Sequence, residues 1–290
     1  MSKQILKTVL VTLILFGCIS KGKAGGPWLW CTGEGFFQIQ FIPLASVYDQ
    51  LLNGTGFDAR DINREVYALD YGLYGEFGLT DRLNILASLP FKYARVGGLT
   101  DTPDAFPNLL EEGTINGLSN VRLGIKYGIL DKNLKVALSA ITSLNTVSTD
   151  LERGLATGFQ GTSVGLTAHV GGAISRKWYA FGELGFQYMF NEFDDAIEGA
   201  FEIGRKIDSK FTVLMRFDIR ESLENGDFYD ERLVQTGLFP ANQSWIAGSL
   251  KVNYESPKNY GLNFGMALVP IKFQNVGYTG SFAFGAYVKI

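Results

Sequence analysis

Long segments in which apolar and polar residues alternate constrain this chain more than any other feature. In residues 82–93, RLNILASLPFKY, every odd position is apolar or aromatic. A β-strand places odd and even residues on opposite faces, so this segment has one apolar face and one more polar face. The same period of two runs through residues 65–77, 120–129 and 211–220, and no helical period is sustained after residue 24. The pattern predicts an all-β protein.

The composition agrees with many strands joined by tight turns and excludes several other classes. Glycine makes up 35 of 290 residues, about 12% against a usual ~7%. An aromatic share of 13% and an apolar share of 46% exclude a disordered chain. A formal charge of −3 without a basic block argues against nucleic-acid binding. Two Cys do not support a disulfide scaffold or a Cys-based zinc site, and one His excludes any site that needs more than one. We predict no metal and no cofactor.

The first 24 residues have the layout of a secretory signal peptide. Lys3 and Lys7 precede an apolar run over residues 8–19, and small residues flank a cleavage point after Ala24. The run is too short to cross ~30 Å of hydrocarbon comfortably, which argues against a membrane anchor. We therefore expect this segment to be cleaved. Lipidation of Cys18 is a second option that the sequence leaves open.

Apolar and polar residues alternate in this way in two kinds of all-β protein. A soluble sandwich turns its apolar face inward, and a membrane barrel turns it toward lipid. The alternating segments are about 10–14 residues long, whereas soluble strands average ~5–6 residues and tilted membrane strands need ~9–11. No run of ~18 apolar residues follows residue 24, which excludes a bundle of membrane-spanning helices. Segment length therefore favours the membrane barrel.

The connections between segments alternate between short and longer ones. Five short polar turns lie at 80–81, 131–133, 175–177, 208–210 and 256–259, and six longer connections lie around 49–64, 96–117, 147–158, 191–196, 222–243 and 274–278. Eleven connections predict 12 strands, with 10 or 14 as alternatives. Short turns on one side and longer loops on the other are typical of outer-membrane barrels. We predict a closed, antiparallel, up-and-down transmembrane β-barrel over residues 35–290, preceded by a periplasmic or plug segment at 25–34.

The last segment has the features of an insertion signal. Residues 281–290 alternate up to the end of the chain, and Gly285 is followed three and five positions later by Val288 and Ile290. This spacing resembles the C-terminal signal of bacterial outer-membrane barrels, although an aromatic residue is more usual at the last position. We expect the barrel-assembly machinery and outer-membrane lipid as partners, with both termini in the periplasm.

Several stretches resemble a known family. Residues 26–28 and 33–37 (GPW, GEGFF) are similar to the start of many mature members, 74–83 (YGEFGLTDRL) to their strand–turn–strand, and 89–91 and 124–128 (LPF, GIKYG) follow at familiar places. This is the outer-membrane transporter family named for the meta-pathway of phenol degradation, which is distantly similar to long-chain fatty-acid channels. The resemblance covers residues 26–128. It implies a barrel that takes up small, often hydrophobic molecules, and it supplies no binding residues.

Charged residues recur on the polar face of the predicted strands. Isolated charges in a dry interior would be very unfavourable, so the lumen is either wet, as in a channel, or filled by paired charges. We expect Asp70 and Glu76 to face Arg82 and Lys92 across one strand pair. Across another, Glu198 and Glu202 can reach a group formed by Arg216, Asp218 and Arg220, which we expect at the narrowest polar part of the pathway. The lumen-facing or binding candidates are Asp70, Glu76, Arg82, Lys92, Arg122, Lys126, Glu183, Glu198, Glu202, Arg216, Asp218, Arg220 and Lys251.

These features together predict an outer-membrane channel or transporter for small molecules, hydrophobic or aromatic ones among them. One alternative is a structural or loop-binding barrel whose lumen is closed by ion pairs, and another is a barrel enzyme that acts on lipids. His169, the single His, shares the lumen parity but has no evident Ser–acid partner, so we predict no catalytic residue. Trp28 and Trp30 are candidates for a plug of the lumen.

Overall fold

Strands make up most of the chain that the structure describes. The structure is a computed structural model that describes residues 25–54, 59–99, 111–190, 192–228, 230–267, 272–277 and 281–290. The predicted signal peptide therefore lies outside the described residues. The strands are β1 (Gly35–Gly54), β2 (Ala59–Thr80), β3 (Leu83–Leu99), β4 (Gly113–Leu118), β5 (Val121–Asp131), β6 (Leu134–Leu144), β7 (Thr149–Asp150), β8 (Leu155–Ala156), β9 (Ser163–Ala173), β10 (Trp178–Met189), β11 (Ala196–Lys206), β12 (Phe211–Ser222), β13 (Ser244–Glu255), β14 (Tyr260–Ala267), β15 (Lys272–Gly277) and β16 (Phe282–Lys289).

The strands close into a barrel through antiparallel pairing. Hydrogen bonding runs from β12 through β11, β10, β9, β6, β5, β3 and β2 to β1, and then through β16, β14 and β13 back to β12. This makes a closed barrel of 12 strands and confirms the predicted fold. β4 extends the wall by pairing with the second half of β3, and β15 pairs with β1 and β13. β7 and β8 form a separate two-stranded piece.

The connections define two ends of the barrel. The turn end carries the five short turns, each of two to four residues, after β2, β5, β9, β11 and β13, as the sequence predicts. The loop end carries the longer connections, which include a 3₁₀ turn at Leu151–Arg153 and a short helix, α1, at Glu231–Val234. The prediction of a loop over residues 274–278 was wrong, because Lys272–Gly277 forms β15. β1 and β2 also extend into the predicted loop at 49–64, since backbone pairing continues beyond the apolar band.

The two faces of the wall have opposite character. Large apolar side chains of alternate residues, such as Ile39, Ile125 and Leu184, are exposed on the outside. Polar residues of the other parity, such as Asn84 and Lys126, are buried inside. An apolar exterior around a polar interior is the arrangement of a barrel whose wall meets lipid. Within the described part of the chain, no helix is both long and apolar enough to cross a membrane.

An apolar layer fills the interior near the loop end. It joins side chains of β2, β3 and β4 to residues of the loops that fold over the barrel. Thr236 Oγ1 in the loop after α1 donates to the carbonyl of Gly154 and ties two of these loops together. The loop end is thereby covered from within. The members of this layer are Val66, Ala68, Ala94, Val96, Ile115, Leu155 and Leu238, with Phe239 packed against them.

The orientation of the wall gives a direct stability prediction. Ile125 on β5 is 49% exposed and lies between β3 and β6, opposite Ile85 and Ala140. We expect Ile125→Arg to destabilise the barrel in lipid vesicles by ~2–4 kcal/mol, because it places a cation against hydrocarbon. Ile125→Ala is the control, since it removes the same side chain without adding charge. Equal losses for the two variants in urea titrations would contradict a lipid-facing side chain.

Candidate functional site

The segment that precedes β1 enters the barrel at the turn end. Backbone hydrogen bonds join Gly33 N–H to the carbonyl of Gly78 and Gly78 N–H to the carbonyl of Glu34, each at 2.9 Å. Further in, the Asn84 carboxamide bonds to the N–H and the carbonyl of Trp30. A Cβ at Gly78 would lie 2.2 Å from the carbonyl oxygen of Cys31, so only glycine allows this close approach. The segment is therefore held by the inner wall of β2 and β3.

Two tryptophans of this segment pack on aromatic side chains of the interior. Trp28 meets Tyr179 and Phe181 of β10 edge to face, with ring centroids 5.5 and 5.3 Å apart. Trp30 stacks on Phe36 and is 4% exposed. Aromatic pairs of this kind contribute ~0.5–1.5 kcal/mol beyond the burial of their area. Both candidate plug residues thus lie inside the barrel, in contact with its wall.

A buried ion pair lies beside the tip of this segment. Lys126 Nζ is 2.9 Å from Glu76 Oε2, and the two side chains are 2% and 0% exposed. Tyr74 donates its hydroxyl to Glu76 Oε1, and the backbone N–H of Gly25 donates to the same oxygen at 3.2 Å. The carboxylate is fully enclosed, and these donors satisfy its oxygens in place of water.

Arg216 is the centre of a second group of charges. Its guanidinium lies 2.6 Å from Glu183 Oε1, 2.7 Å from Asp218 Oδ1 and 3.9 Å from Glu202 Oε2. Tyr179 donates its hydroxyl to Glu202 at 2.8 Å. Lys251 lines the same cavity as Glu202 and Trp28, a space of about 190 Å³ near the turn end. Arg216 thus brings three predicted carboxylates together, and one of them, Glu202, lines the cavity with Lys251.

His169 has the Ser and acid partners that its sequence context did not indicate. Ser139 Oγ lies 2.8 Å from Nε2, and Glu183 Oε2 lies 3.0 Å from Nδ1. A neutral His169 satisfies both contacts, because Nδ1–H donates to Glu183 while Nε2 accepts from Ser139. The order of bonds is that of a Ser–His–acid triad. However, Ser139 is 3% exposed and His169 8%, so the hydroxyl is enclosed within the interior network.

Two further pairs lie nearer the loop end. Lys92 Nζ is 2.6 Å from Asp70 Oδ1, as the strand pairing predicts. Arg220 donates to both Glu198 and Gln187. Asp70 and Glu198 keep 36% and 43% of their side chains exposed, although their strand positions point inward. Solvent therefore reaches this part of the lumen.

Two candidates lie away from these groups. Arg82 was expected to face Glu76 in the lumen, but it is exposed in the turn between β2 and β3. The turn ends the strand alternation before Arg82, so the parity of β3 does not apply to it. Arg122 shares the inward parity of Lys126 on β5 but lies four positions nearer the loop end and is exposed.

An aromatic cluster from the loops covers the polar interior at the loop end. Phe159 packs edge to face on Phe193 and Phe239, and Phe193 stacks on Phe228 at 4.1 Å. The guanidinium of Arg220 lies 5.1 Å from the centroid of Phe159. This cluster was not predicted from the sequence, because its members stand in loops without periodicity. Their only signal is the repeated Phe within the connections.

Other predicted features are placed as follows. Among the described residues, no group of three or more His, Cys, Asp or Glu side chains is arranged to hold a metal ion. In the C-terminal strand, Val288 and Ile290 are 42% and 58% exposed on the outer face. Gly285 lies against the side chain of Asn263. A Cβ at this position would be 2.6 Å from Asn263 Oδ1.

Solved structures of other proteins share the fold of this chain. No family model and no curated protein sequence matches the chain. An outer membrane channel from Pseudomonas putida F1 is similar in structure, with a TM-score of 0.66, 12% identity, and coverage of 92% of this chain and 99% of that one. The porin NanC gives a TM-score of 0.51, 11% identity, and coverage of 89% of this chain and 100% of that one. At these identities the likeness concerns the barrel architecture.

The buried pair allows a test of interior energetics. We expect Lys126→Met to lower the free energy of unfolding by ~3–5 kcal/mol, because it leaves the Glu76 carboxylate enclosed without its cation. The double variant Glu76→Gln with Lys126→Met should recover part of this loss. Arg232→Met is the control. Arg232 is 44% exposed and pairs with Asp230 in a loop, so this substitution should lower the free energy of unfolding by no more than ~0–1 kcal/mol. Urea unfolding followed by tryptophan fluorescence measures all three.

The attachment of the N-terminal segment should depend on pH at the turn end. Thr32 donates its N–H and its hydroxyl to Asp81 Oδ1, at 3.0 and 2.8 Å, and these bonds lower the pKa of Asp81 below its ordinary value of 3.8. The stabilisation is complete above the ordinary pKa and is lost as the pH falls through the lower, folded-state pKa. We expect the Thr32 amide to lose protection from hydrogen exchange in strong acid. In Asp81→Asn this acid-dependent loss of protection should be absent. If the variant showed the same pH profile as the wild type, the role of Asp81 would be contradicted.

Proposed function

We propose that this protein is an outer-membrane channel for small molecules, hydrophobic and aromatic ones among them, with residues 25–34 as its plug. The observation that carries the proposal is the solvent exposure of inward-pointing charges such as Asp70 and Glu198. A barrel filled only for stability would enclose these groups. A water-accessible polar interior is the property of a conducting lumen.

The plug is supported by the contacts of the N-terminal segment. Trp28 and Trp30 occupy the interior at the turn end, where they meet Tyr179, Phe181 and Phe36. The cavity that remains beside Trp28 has a volume of about 190 Å³, equal to a handful of water molecules at ~30 Å³ each. A solute passes this level when the segment moves aside.

Aromatic side chains at the loop end support the proposal that hydrophobic solutes enter the barrel. Phe159, Phe193, Phe228 and Phe239 form an aromatic cluster among the loops, and Phe239 packs against the apolar layer. Aromatic rings bind apolar molecules and stack on aromatic ones. This chemistry agrees with the uptake family that the sequence resembles, and we assign the chain to that family as part of the proposal.

The proposed location follows from the outer face and the chain ends. The apolar band of the wall fits a bilayer, and β16 ends at the turn end, where short turns face the periplasm in bacterial outer-membrane barrels. We therefore place both termini in the periplasm. Val288 and Ile290, together with Gly285, are the residues that we propose the barrel-assembly machinery reads.

Conductance across planar bilayers tests the channel. We expect few openings for the wild type and at least ~10-fold more for a variant that lacks residues 25–34, because the lumen loses its aromatic filling. Trp28→Ala should raise the opening frequency in a chain of full length. Trp178→Ala is the control, since Trp178 is exposed on the outer face and 40% accessible. Closed barrels in every variant would favour the structural alternative.

Ion selectivity tests the polar part of the pathway. In the variant that lacks residues 25–34, Arg216→Ala should shift selectivity toward cations, because Glu183, Glu202 and Asp218 lose their shared cation. Asp218→Asn is the matched opposite and should shift it toward anions. The same selectivity in both variants would exclude this cluster from the conduction pathway.

The lipid-hydrolase alternative gains one specific observation, the Ser139–His169–Glu183 arrangement. The enclosure of Ser139 argues instead for a structural role in the interior network. A fluorophosphonate probe, which labels activated serines, separates the structural role from hydrolysis. Labelling of Ser139 that disappears in His169→Ala would establish a hydrolase, and no labelling would favour the structural role.

A further inference from the structure

We infer that Glu76 is a binding site for the chain's own α-ammonium group, which forms when a leader is removed ahead of Gly25. The inference rests on the proposed plug and on the cleavage after Ala24 that the sequence predicts. It adds a chemical role for processing, because cleavage then creates the group that fastens the plug.

The first described residue points its nitrogen at a buried carboxylate. Gly25 N lies 3.2 Å from Glu76 Oε1, and the Glu76 side chain is 0% exposed. One residue later, the carbonyl of Gly26 accepts from Lys126 Nζ at 3.4 Å. An uncleaved chain offers Glu76 a single neutral N–H at this point. A chain that begins at Gly25 offers a positive charge and three N–H donors, which makes a stronger, charge-assisted bond.

The two oxygens of Glu76 have different partners. Oε2 faces the cation of Lys126, whereas the described donors to Oε1 are neutral: the Tyr74 hydroxyl and the Gly25 N–H. Tyr74 also lies within electrostatic range of Glu183 and Arg216. An α-ammonium at Gly25 would give Oε1 a cationic donor as well, at the oxygen that Lys126 does not contact.

The cations of the neighbouring pairs bond to other carboxylates. Lys92 pairs with Asp70, and Arg220 pairs with Glu198, so each cancels within its own pair. Arg122 is exposed and lies four positions nearer the loop end than Lys126. Solvent screens its charge at that distance.

The tip of the segment has little freedom to place its nitrogen elsewhere. A Cβ at Gly26 would lie 2.8 Å from the ring of Trp28 and 2.9 Å from that of Phe181, so the backbone is pressed against both rings. Gly26 has a φ angle of +63°, which L-residues with side chains rarely adopt. This glycine turns the chain end toward Glu76.

Labelling of the α-amine tests the inference on the full precursor, expressed with its leader and purified from membranes. Three forms are compared: wild type, Glu76→Gln, and a chain with Ser-Gly inserted between Ala24 and Gly25. Mass spectrometry identifies the first residue, and 2-pyridinecarboxaldehyde, which reacts with free α-amines, reports how accessible it is in the folded protein. We expect the wild type to begin at Gly25 and to react at least ~10-fold more slowly than the other two forms.

The controls separate this inference from the proposed channel. Asp131→Asn removes a carboxylate from the end of β5 that pairs only with Lys135 among the described groups, and it should keep slow labelling. The insertion form leaves every side chain intact, so it decides the result even where Glu76→Gln does not fold. A different first residue, or equally fast labelling of wild type and insertion form, overturns the inference. The channel itself is judged by the conductance of the variant without residues 25–34, which does not depend on labelling.

Discussion

Closure of the backbone hydrogen-bond ladder is the constraint on which the rest of this molecule depends. In hydrocarbon no water replaces a missing partner, so a sheet can cross a membrane only when its first and last strands pair. Here β1 meets β16, and Gly35 and Ile290 exchange two hydrogen bonds of 3.0 Å at the seam. Closure makes every second side chain point inward, and the demand of lipid for an apolar exterior leaves the polar residues for the interior.

That interior is organised as three levels, each with its own chemistry. At the turn end, tryptophans of the N-terminal segment pack on aromatic residues of the wall. In the middle, carboxylates and cations compensate one another, with Glu76 and Arg216 as the most densely bonded members. At the loop end, an aromatic cluster covers the apolar layer. In the channel that we propose, a solute meets apolar, charged and again aromatic surroundings in turn, which suits molecules that combine an apolar body with modest polarity.

The fold could be predicted because apolar and polar residues alternate along each strand, and this alternation arises when each side of the wall has one uniform environment. Turn positions and strand number follow from it, and so does pairing between adjacent strands, as with Asp70 and Lys92. Contacts across the lumen could not be predicted. Glu76 pairs with Lys126 of β5 rather than with Arg82, and Arg216 reaches Glu183 on β10, because long side chains span strands that are not neighbours. The partners of His169 are a different case: they come from the two strands beside β9, with Glu183 directly opposite on β10 and Ser139 at a diagonal position on β6, so strand pairing alone could have indicated them.

The way the N-terminal segment joins the wall sets how it can leave. Residues Gly33 and Glu34 are already bonded to Gly78, and the next residue, Gly35, is bonded to Ile290 at the seam. The backbone bonds of residues 33–35 therefore run without a gap into those that close the barrel. In the proposed channel, displacement of the plug beyond the turn at Thr32 and Gly33 would break the bonds to Gly78, and displacement beyond Glu34 would break those between Gly35 and Ile290. The turn thus marks how far the plug can leave the lumen before closure of the barrel is lost.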